Sequence, residues 1–560
     1  MNIKTPRQAN WVKKALPITF VLMLSITVIM GNAATQILRW ERFWGGSGDE
    51  WGRGISVSGE NIYVSGQSMS FGAGKGDAVI LKYDLFGTLI HDTTWGGSEW
   101  DFGHNVHVSD GNVYVAGTTW SFGYQNAFLL KFDSDCNLLW DRLWGYPSYG
   151  GYDNFFDVFV IGDDVYCVGD SEIGWGNPQL LLQKYDTYGN LQWSRLWGPI
   201  GSNVHTSGWG ITVSGNDIYV VGNTESTPGP VGPYEALIQK YDTSGNLIWS
   251  RTWGGSGGDF AYDVSVLGND VYVVGSTNSY GVGGDDIFLL KYDSAANLIW
   301  YKTWGGSKED LGYEICISNG HIYVAGTTKS FGAGGYDAVT LKTDLSGNPI
   351  WYETWGGTAD DEAHSIYVAD NEIYVAGDTT SFGSGGKDIF LSKYAEVITA
   401  TIDIDPDTLN LMSSGKFVTA YIELPAGYNV ADIDLTTVQL EGISAITDPK
   451  YGFVTDPSQY LVDHDGDTIV EYMVKFDRAT VRDALICIID FAEGVKFYDI
   501  TLKVTGKLTD GTLFEGTDTT VVISTPAFVI PETSWGTLGA ISPMIIVAFA
   551  LVLLRMRALV

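Results

Sequence analysis

The 560-residue chain sets 32 basic side chains against 66 acidic ones, a formal charge of −34. A surface of that sign repels polyanions, which argues against a nucleic-acid partner and leaves divalent cations, basic partners or plain solubility as its use. Gly numbers 70, aromatics make up 13% and charged residues only 18%, which suits many short strands and tight turns and fits a helical bundle poorly.

In chain order, Lys4, Arg7, Lys13 and Lys14 precede an uncharged stretch from Ala15 to Met30 and the small residues Gly31, Asn32, Ala33 and Ala34. That order predicts a secretory signal peptide over 1–33, with an uncleaved anchor as the alternative. From 36 to 396 a unit of about fifty residues recurs. One copy reads Ile211-Thr-Val213, Asp217-Ile-Tyr-Val-Val-Gly222, Ala236-Leu-Ile-Gln-Lys-Tyr-Asp242 and Asn246-Leu-Ile-Trp-Ser-Arg-Thr-Trp-Gly-Gly255. Four β-type runs per unit, parted by turn residues, is the spacing of propeller blades. A Trp-Gly pair recurs at Trp44, Trp95, Trp144, Trp197, Trp253, Trp304 and Trp355, and a tyrosine recurs at Tyr63, Tyr114, Tyr166, Tyr219, Tyr272, Tyr323 and Tyr374. Both anchors give seven units.

The first unit begins on a fourth strand (Leu38 to Trp44) and the last ends on a third (Asp388 to Tyr394). This phase predicts a seven-bladed β-propeller of four-stranded blades in which the N-terminal strand completes the last blade and removes an exposed edge. Turns such as Asp-Thr-Tyr-Gly189, Asp-Thr-Ser-Gly245 and Asp-Leu-Ser-Gly347 read as structural, with Asp opening the turn and Gly taking positive φ.

Repeats of the form Lys-Tyr-Asp-x-x-Gly-Asn-Leu-x-Trp-x-x-x-Trp-Gly-Gly, followed by Ile-Tyr-Val-x-Gly, resemble the SBBP-type β-propeller repeat of bacterial and archaeal surface proteins. That resemblance implies the fold and a place on the cell surface, and it implies no single activity. A weaker similarity is to the tryptophan-docked blades of quinoprotein dehydrogenases, whose cofactor-binding and calcium-binding residues have no counterpart located in this chain.

Beyond the repeats, 398–524 loses the Trp-Gly signature and shows alternating strands at 401–404, 417–424, 470–476 and 498–504. A β-sandwich serving as a stalk is expected there, resembling the small modules that precede membrane anchors in archaeal surface proteins. After a linker over 525–534, the uncharged stretch Trp535 to Leu554 is long enough to cross a bilayer, and Arg555 and Arg557 place the tail 555–560 in the cytoplasm. Val529-Ile-Pro-Glu-Thr-Ser-Trp-Gly536 also resembles an archaeal sorting signal, in which case the span would be removed. Cys136, Cys167, Cys316 and Cys487 form no CxxC pair, which excludes a zinc knuckle of that spacing.

Candidate site residues come from aligning the first strand of each unit. Five residues before its first core Ile or Val lie Glu50, Asp101, Asp153, Asp259, Asp310 and Asp361, with Thr206 in the fourth unit. Two residues before it lie Arg53, His104, Phe156, Trp209, Tyr262, Tyr313 and His364. If the first strand is innermost, both sets are expected at one mouth of the channel, beside Gly-rich loops such as 331–337 and 382–388. The acids are candidate Ca²⁺ ligands, and the second set is a candidate surface for a protein or glycan. The favoured reading of the acids is structural, because acids that recur in six of the seven units are what a turn-capping role predicts, and the aromatics then line the channel wall. The fourth unit breaks the symmetry with Thr206, Trp209 and the loop 227–233. A second Ca²⁺ candidate is Asp463, Asp465 and Asp467, an Asp-rich loop without the closing glutamate of an EF-hand. No HExxH, GxSxG or P-loop occurs. The sequence thus predicts a membrane-anchored, non-enzymatic surface binding protein. The rivals are an extracellular hydrolase or lyase using mouth carboxylates such as Asp101 and Asp361, and a structural envelope component.

Overall fold

Each unit alternates outward and inward side chains along short Val-, Ile- and Tyr-rich runs, so its strands pair with their chain neighbours through tight turns. The computed structural model describes residues 34–145, 151–172, 178–198, 204–225, 233–369, 371–425, 428–489 and 496–523. The expected signal peptide, linker, membrane span and tail, and most of the loop 227–233, lie outside the described residues. Among those described, no helix is long and apolar enough to cross a membrane.

Sheet 2 shows the pattern: Asp101–Ser109, Asn112–Thr119, Asn126–Asp133 and Leu138–Trp144 pair in chain order. Sheets 1 to 6 follow it from Glu50–Ser58 to Pro349–Trp355. Sheet 7 takes Asp361–Ala369, Glu372–Thr379 and Asp388–Thr399, and Ala34–Trp44 pairs antiparallel with the last of these. The first strand of each sheet lies against that of the next, and that of sheet 7 lies against that of sheet 1. No single sheet closes on itself. The contacts between sheets are cyclic, and the fold is a β-propeller.

What joins the sheets is the repeated motif itself. Apolar cores lie between successive sheets, as where Tyr63 and Ile80 of sheet 1 meet Val115 and Phe128 of sheet 2. The seam between sheets 7 and 1 has one too, with Tyr374 and Leu391 against Val64 and Leu81. Each such side chain contributes roughly 1.5–3 kcal/mol by leaving water. The fourth-strand Trp then reaches the Asp-x-x-Gly turn of the next sheet. Trp193 donates to the Thr243 carbonyl at 3.2 Å, while Arg195 stacks on that indole and donates to Ser244 and Gly245 at 2.8 and 2.9 Å. The N-terminal strand does the same to sheet 1, where Trp40 meets Leu85 and Arg42 meets Phe86 and Gly87. Each second-strand Tyr lies under the third-strand Lys, as Tyr219 under Lys240 at 5.4 Å.

One irregularity shapes the centre. All seven first strands shift register beside their second strand at the same place, between Gly103 and Asn105 in sheet 2 and between Gly312 and Glu314 in sheet 6. The residue skipped is the one named above as the second candidate set. The bulge brings the preceding carbonyl over the partner strand, so that a Cβ at Gly117 would collide with the Phe102 oxygen. That is why every second strand carries Gly in Ile-Tyr-Val-x-Gly.

The strand Asp388–Thr399 crosses the expected boundary at 396–398 without a break. Its end pairs in parallel with Leu513–Ile523, which continues into Phe497–Leu508 and Ile433–Leu440. A second sheet of Thr401–Asp405, Phe417–Glu423, Glu471–Asp477 and Leu461–Val462 shares one core with it. The helix Arg478–Ile488, capped by Asp477, adds Val481 and Leu485 to that core and departs from the all-strand expectation.

Candidate functional site

The bulges build a cavity of about 410 Å³ at the centre of the seven sheets, within the ~300–1,000 Å³ of small-molecule pockets. Its wall is a collar with one residue from each sheet: Arg53, His104, Phe156, Trp209, Tyr262, Tyr313 and His364, all of the second candidate set. The six rings run side by side, from His104 against Phe156 at 5.2 Å and Phe156 stacked on Trp209 at 4.2 Å to Tyr313 beside His364 at 5.0 Å. The second strands fix their polar tips. Trp209 Nε1 donates to Asn223 at 2.6 Å, His104 Nε2 meets Thr118 at 3.2 Å, and His364 Nε2 lies 2.9 Å from Asp378. Burial pushes His104 down to about 3, with the charge of Arg53 adding, so its imidazole is neutral.

Arg53 closes the collar between His104 and His364. Its Nη1 lies 2.9 Å from His364 Nε2, and Lys387 reaches Asp378 at 2.6 Å and Glu362 at 3.1 Å. Asp378 is held down at about 2 by His364, Arg53 and Lys387 against the upward effect of its burial.

The same cavity is lined by side chains that the sequence reading misses: Asn105, Asp157, Asp263 and Glu314. Each follows a collar residue directly, and in an unbulged strand it would face away from the channel. These side chains take up amides next to the bulges. Asp157 accepts from Val158 at 2.7 Å and from Ile211 of sheet 4 at 2.8 Å. Asp263 accepts from Val264 and from Ile315 of sheet 6, Glu314 from Ile366 of sheet 7, and the Ser365 hydroxyl from Ile55 of sheet 1. Burial raises Asp157 to about 7. Asp263 is pushed upward by burial and by Asp157, and Glu314 by burial and by Asp263.

The acidic candidates stand elsewhere, and the expectation that both sets share one mouth gives way to this placement. Asp310 and its counterparts are fully buried at the start of their strands. Asp310 takes the Thr328 hydroxyl, the Ser330 hydroxyl at 2.7 Å and the Gly306 amide at 2.7 Å. Asp101, Asp259 and Asp361 repeat this with Thr119, Thr277 and Thr379. Glu50 uses Ser68 and the Gly46 amide, Asp153 uses Ser171, and Thr206 pairs with Thr224. Their oxygens are filled by donors, and they do not converge on a common point. Asp463, Asp465 and Asp467 do come together, with carboxylate oxygens within 4.8 Å, but all three are exposed and already cap the amides of Gly466, Asp467 and Ile469. His464 is spent on Tyr421, stacked at 3.6 Å, and on Asp403 at 3.2 Å.

Fold and cavity together define a β-propeller with an aromatic-collared centre. No family model matches the chain. The regulatory protein FlaEY of Caulobacter vibrioides is 27% identical over 184 residues, which cover 28% of this chain and 19% of that protein, so the match spans about a fifth of that relative's length. Similar solved structures include the WD40 β-propeller domain of Doa1 (11% identity, 65% of this chain and 97% of that one, TM-score 0.40). The β-propeller domain of the trilobed protease from Pyrococcus furiosus is similar at 10% identity over 64% of this chain and 94% of that one, with a TM-score of 0.36. Phage phi92 endosialidase is similar at 11% identity over 91% and 90%, with a TM-score of 0.39.

Proposed function

We propose that the chain is a non-enzymatic, membrane-anchored protein of the cell surface, whose seven sheets are the blades of one ring closed by the N-terminal strand and whose central cavity takes part of a protein or glycan partner. One observation carries the reading: seven sheets each contribute one side chain to a single collar, six of them rings. Stacked and edge-on rings at a concave site are what apolar faces of sugars or side chains bury against. Surface placement rests on the charge pattern at the two ends of the chain and on the resemblance of the repeats to SBBP-type surface proteins. The region 398–524 acts as a sandwich-like mount, joined to the seventh sheet by the unbroken strand Asp388–Thr399.

The test is binding of the detergent-solubilised full chain to envelope polysaccharides and envelope proteins, with Trp209→Ala as the control. Binding that the control abolishes supports the reading. Cleavage of a bound polymer with turnover overturns it in favour of the hydrolase or lyase, whose carboxylates would then be Asp157, Asp263 and Glu314 rather than Asp101 and Asp361.

A further inference from the structure

The cavity gathers three carboxyl groups, those of Asp157, Asp263 and Glu314, that no lysine or arginine meets among the described residues. The groups shifting the ionisation of Asp157, Asp263 and Glu314 are burial, backbone amides, Asn105, Ser365 and one another, with no lysine or arginine among them. Of the two cations nearby, Lys387 is matched by the carboxylates of Asp378 and Glu362, and Arg53 lies 2.9 Å from His364 Nε2, whose ring meets Asp378. The rings of Trp209, Tyr262 and Tyr313 line the same cavity.

Resting on the reading of the cavity as a binding site, we infer that it holds an alkylammonium group, its charge over Asp263 and Glu314 and its carbons against Trp209, Tyr262 and Tyr313. Ring faces attract cations, most strongly where water is excluded. Carboxylates without a cationic partner in such a site gain more from a counter-charge than exposed ones do. A hard dication is the poorer occupant. It asks for six to eight oxygens, and the oxygens here are holding the amides of Ile211, Ile315 and Ile366. An ammonium offers only three donors, which the remaining lone pairs can accept, and its methylenes suit the rings.

Calorimetry on the full chain in detergent, run at about pH 7 and about pH 9 because burial and mutual repulsion hold Asp263 and Glu314 above the usual carboxylate range, tests this with three probes. The probes are n-butylammonium, the lysine side chain in N-acetyl-lysine-methylamide, and the same compound acetylated at Nζ. The two ammonium compounds are expected to bind, and removal of the charge to weaken binding at least about tenfold. Glu314→Gln and Asp263→Asn keep size and an acceptor oxygen, and each is expected to cost about the same factor while the thermal transition persists. If butylammonium alone binds, the natural ligand is a free amine; if the lysine compound binds more tightly, it is a protein side chain. Equal binding of the acetylated compound, or no loss in either carboxylate variant, overturns the inference. Should polysaccharide or envelope protein still bind while no ammonium does, the inference fails and the binding reading stands. Should neither bind, both fail.

Discussion

Asp310→Ala separates the structural reading of the buried acids from the cation reading. The substitution strands the fully buried Thr328 hydroxyl and takes the acceptor from the half-buried Ser330 hydroxyl and Gly306 amide. A hydroxyl can swing toward another acceptor, but the Gly306 amide cannot. With roughly 1–3 kcal/mol for each donor left unmet, the total comes to about 3–5 kcal/mol. Over a ring of about 360 residues, unfolding with about 2.1 cal/mol/K of entropy per residue, that lowers Tm by about 4–7 °C. Differential scanning calorimetry, run with calcium and with chelator, reads it. The shift is expected under both conditions, and chelator is expected to leave the wild-type transition in place. Asp310→Thr should recover part of the loss, because sheet 4 already uses the hydroxyl pair Thr206 and Thr224 at 3.0 Å. A wild-type Tm that falls on chelation while Asp310→Ala no longer responds would refute the structural role and return these carboxylates to a metal.

Arg195→Ala removes two bonds to the turn of the next sheet and a cation over the Trp193 face, and about 1–2 kcal/mol should go with them, read as a lower urea midpoint. Trp40→Ala opens the seam between sheets 7 and 1, costing about 3–5 kcal/mol. Hydrogen exchange should then accelerate first in Asp388–Thr399, and uniform acceleration around the ring would argue against closure by the N-terminal strand. For Asp157 the sign follows from burial, which lifts its pKa from 3.8 to about 7. The folded state then binds a proton that the unfolded chain releases. Its stabilising effect is complete below about pH 3.8 and gone above about 7. His104 and His107, pushed down to about 3 and about 4 by burial, act in the opposite sense below pH 6.5. The comparison that isolates Asp157 is therefore wild type minus Asp157→Asn, which should shrink by about 1.4 kcal/mol per pH unit between about pH 4 and about pH 7 in urea titrations. A difference independent of pH would mean that Asp157 is ionised throughout.

Why some of this is legible in the sequence and some is not comes down to one backbone feature. The Trp-Gly and Tyr anchors report side chains that fill the same hole in every unit, so their spacing counts the units and their phase assigns Ala34–Trp44 to sheet 7. The collar is legible for the same reason: a position that repeats at the first strand and is a ring in six of seven units needs a common space to fill. The acids are misplaced because Asp310 and Tyr313 are three apart, and an odd separation along a strand turns two side chains to opposite faces. Glu314 escapes notice for the converse reason. Read with period two it belongs with Asp310 and Gly312 on the face away from the channel, since nothing about a Tyr-Glu pair announces that both face inward.

The bulge between Gly312 and Glu314 overrides that period and turns Tyr313 and Glu314 to the same side. A signal for it is present in the other strand, because the Gly of each Ile-Tyr-Val-x-Gly leaves room for the carbonyl that a bulge pushes across. Seven such glycines facing seven first strands imply seven bulges, and the residue after each bulge is then a channel residue. By that rule Asn105, Asp157, Asp263 and Glu314 follow from the sequence. So do the small residues Gly54 and Gly210 at the same position, where a Cβ would run into Asn105 and Asp263 of the neighbouring sheet as those side chains turn back to cap Val106 and Val264.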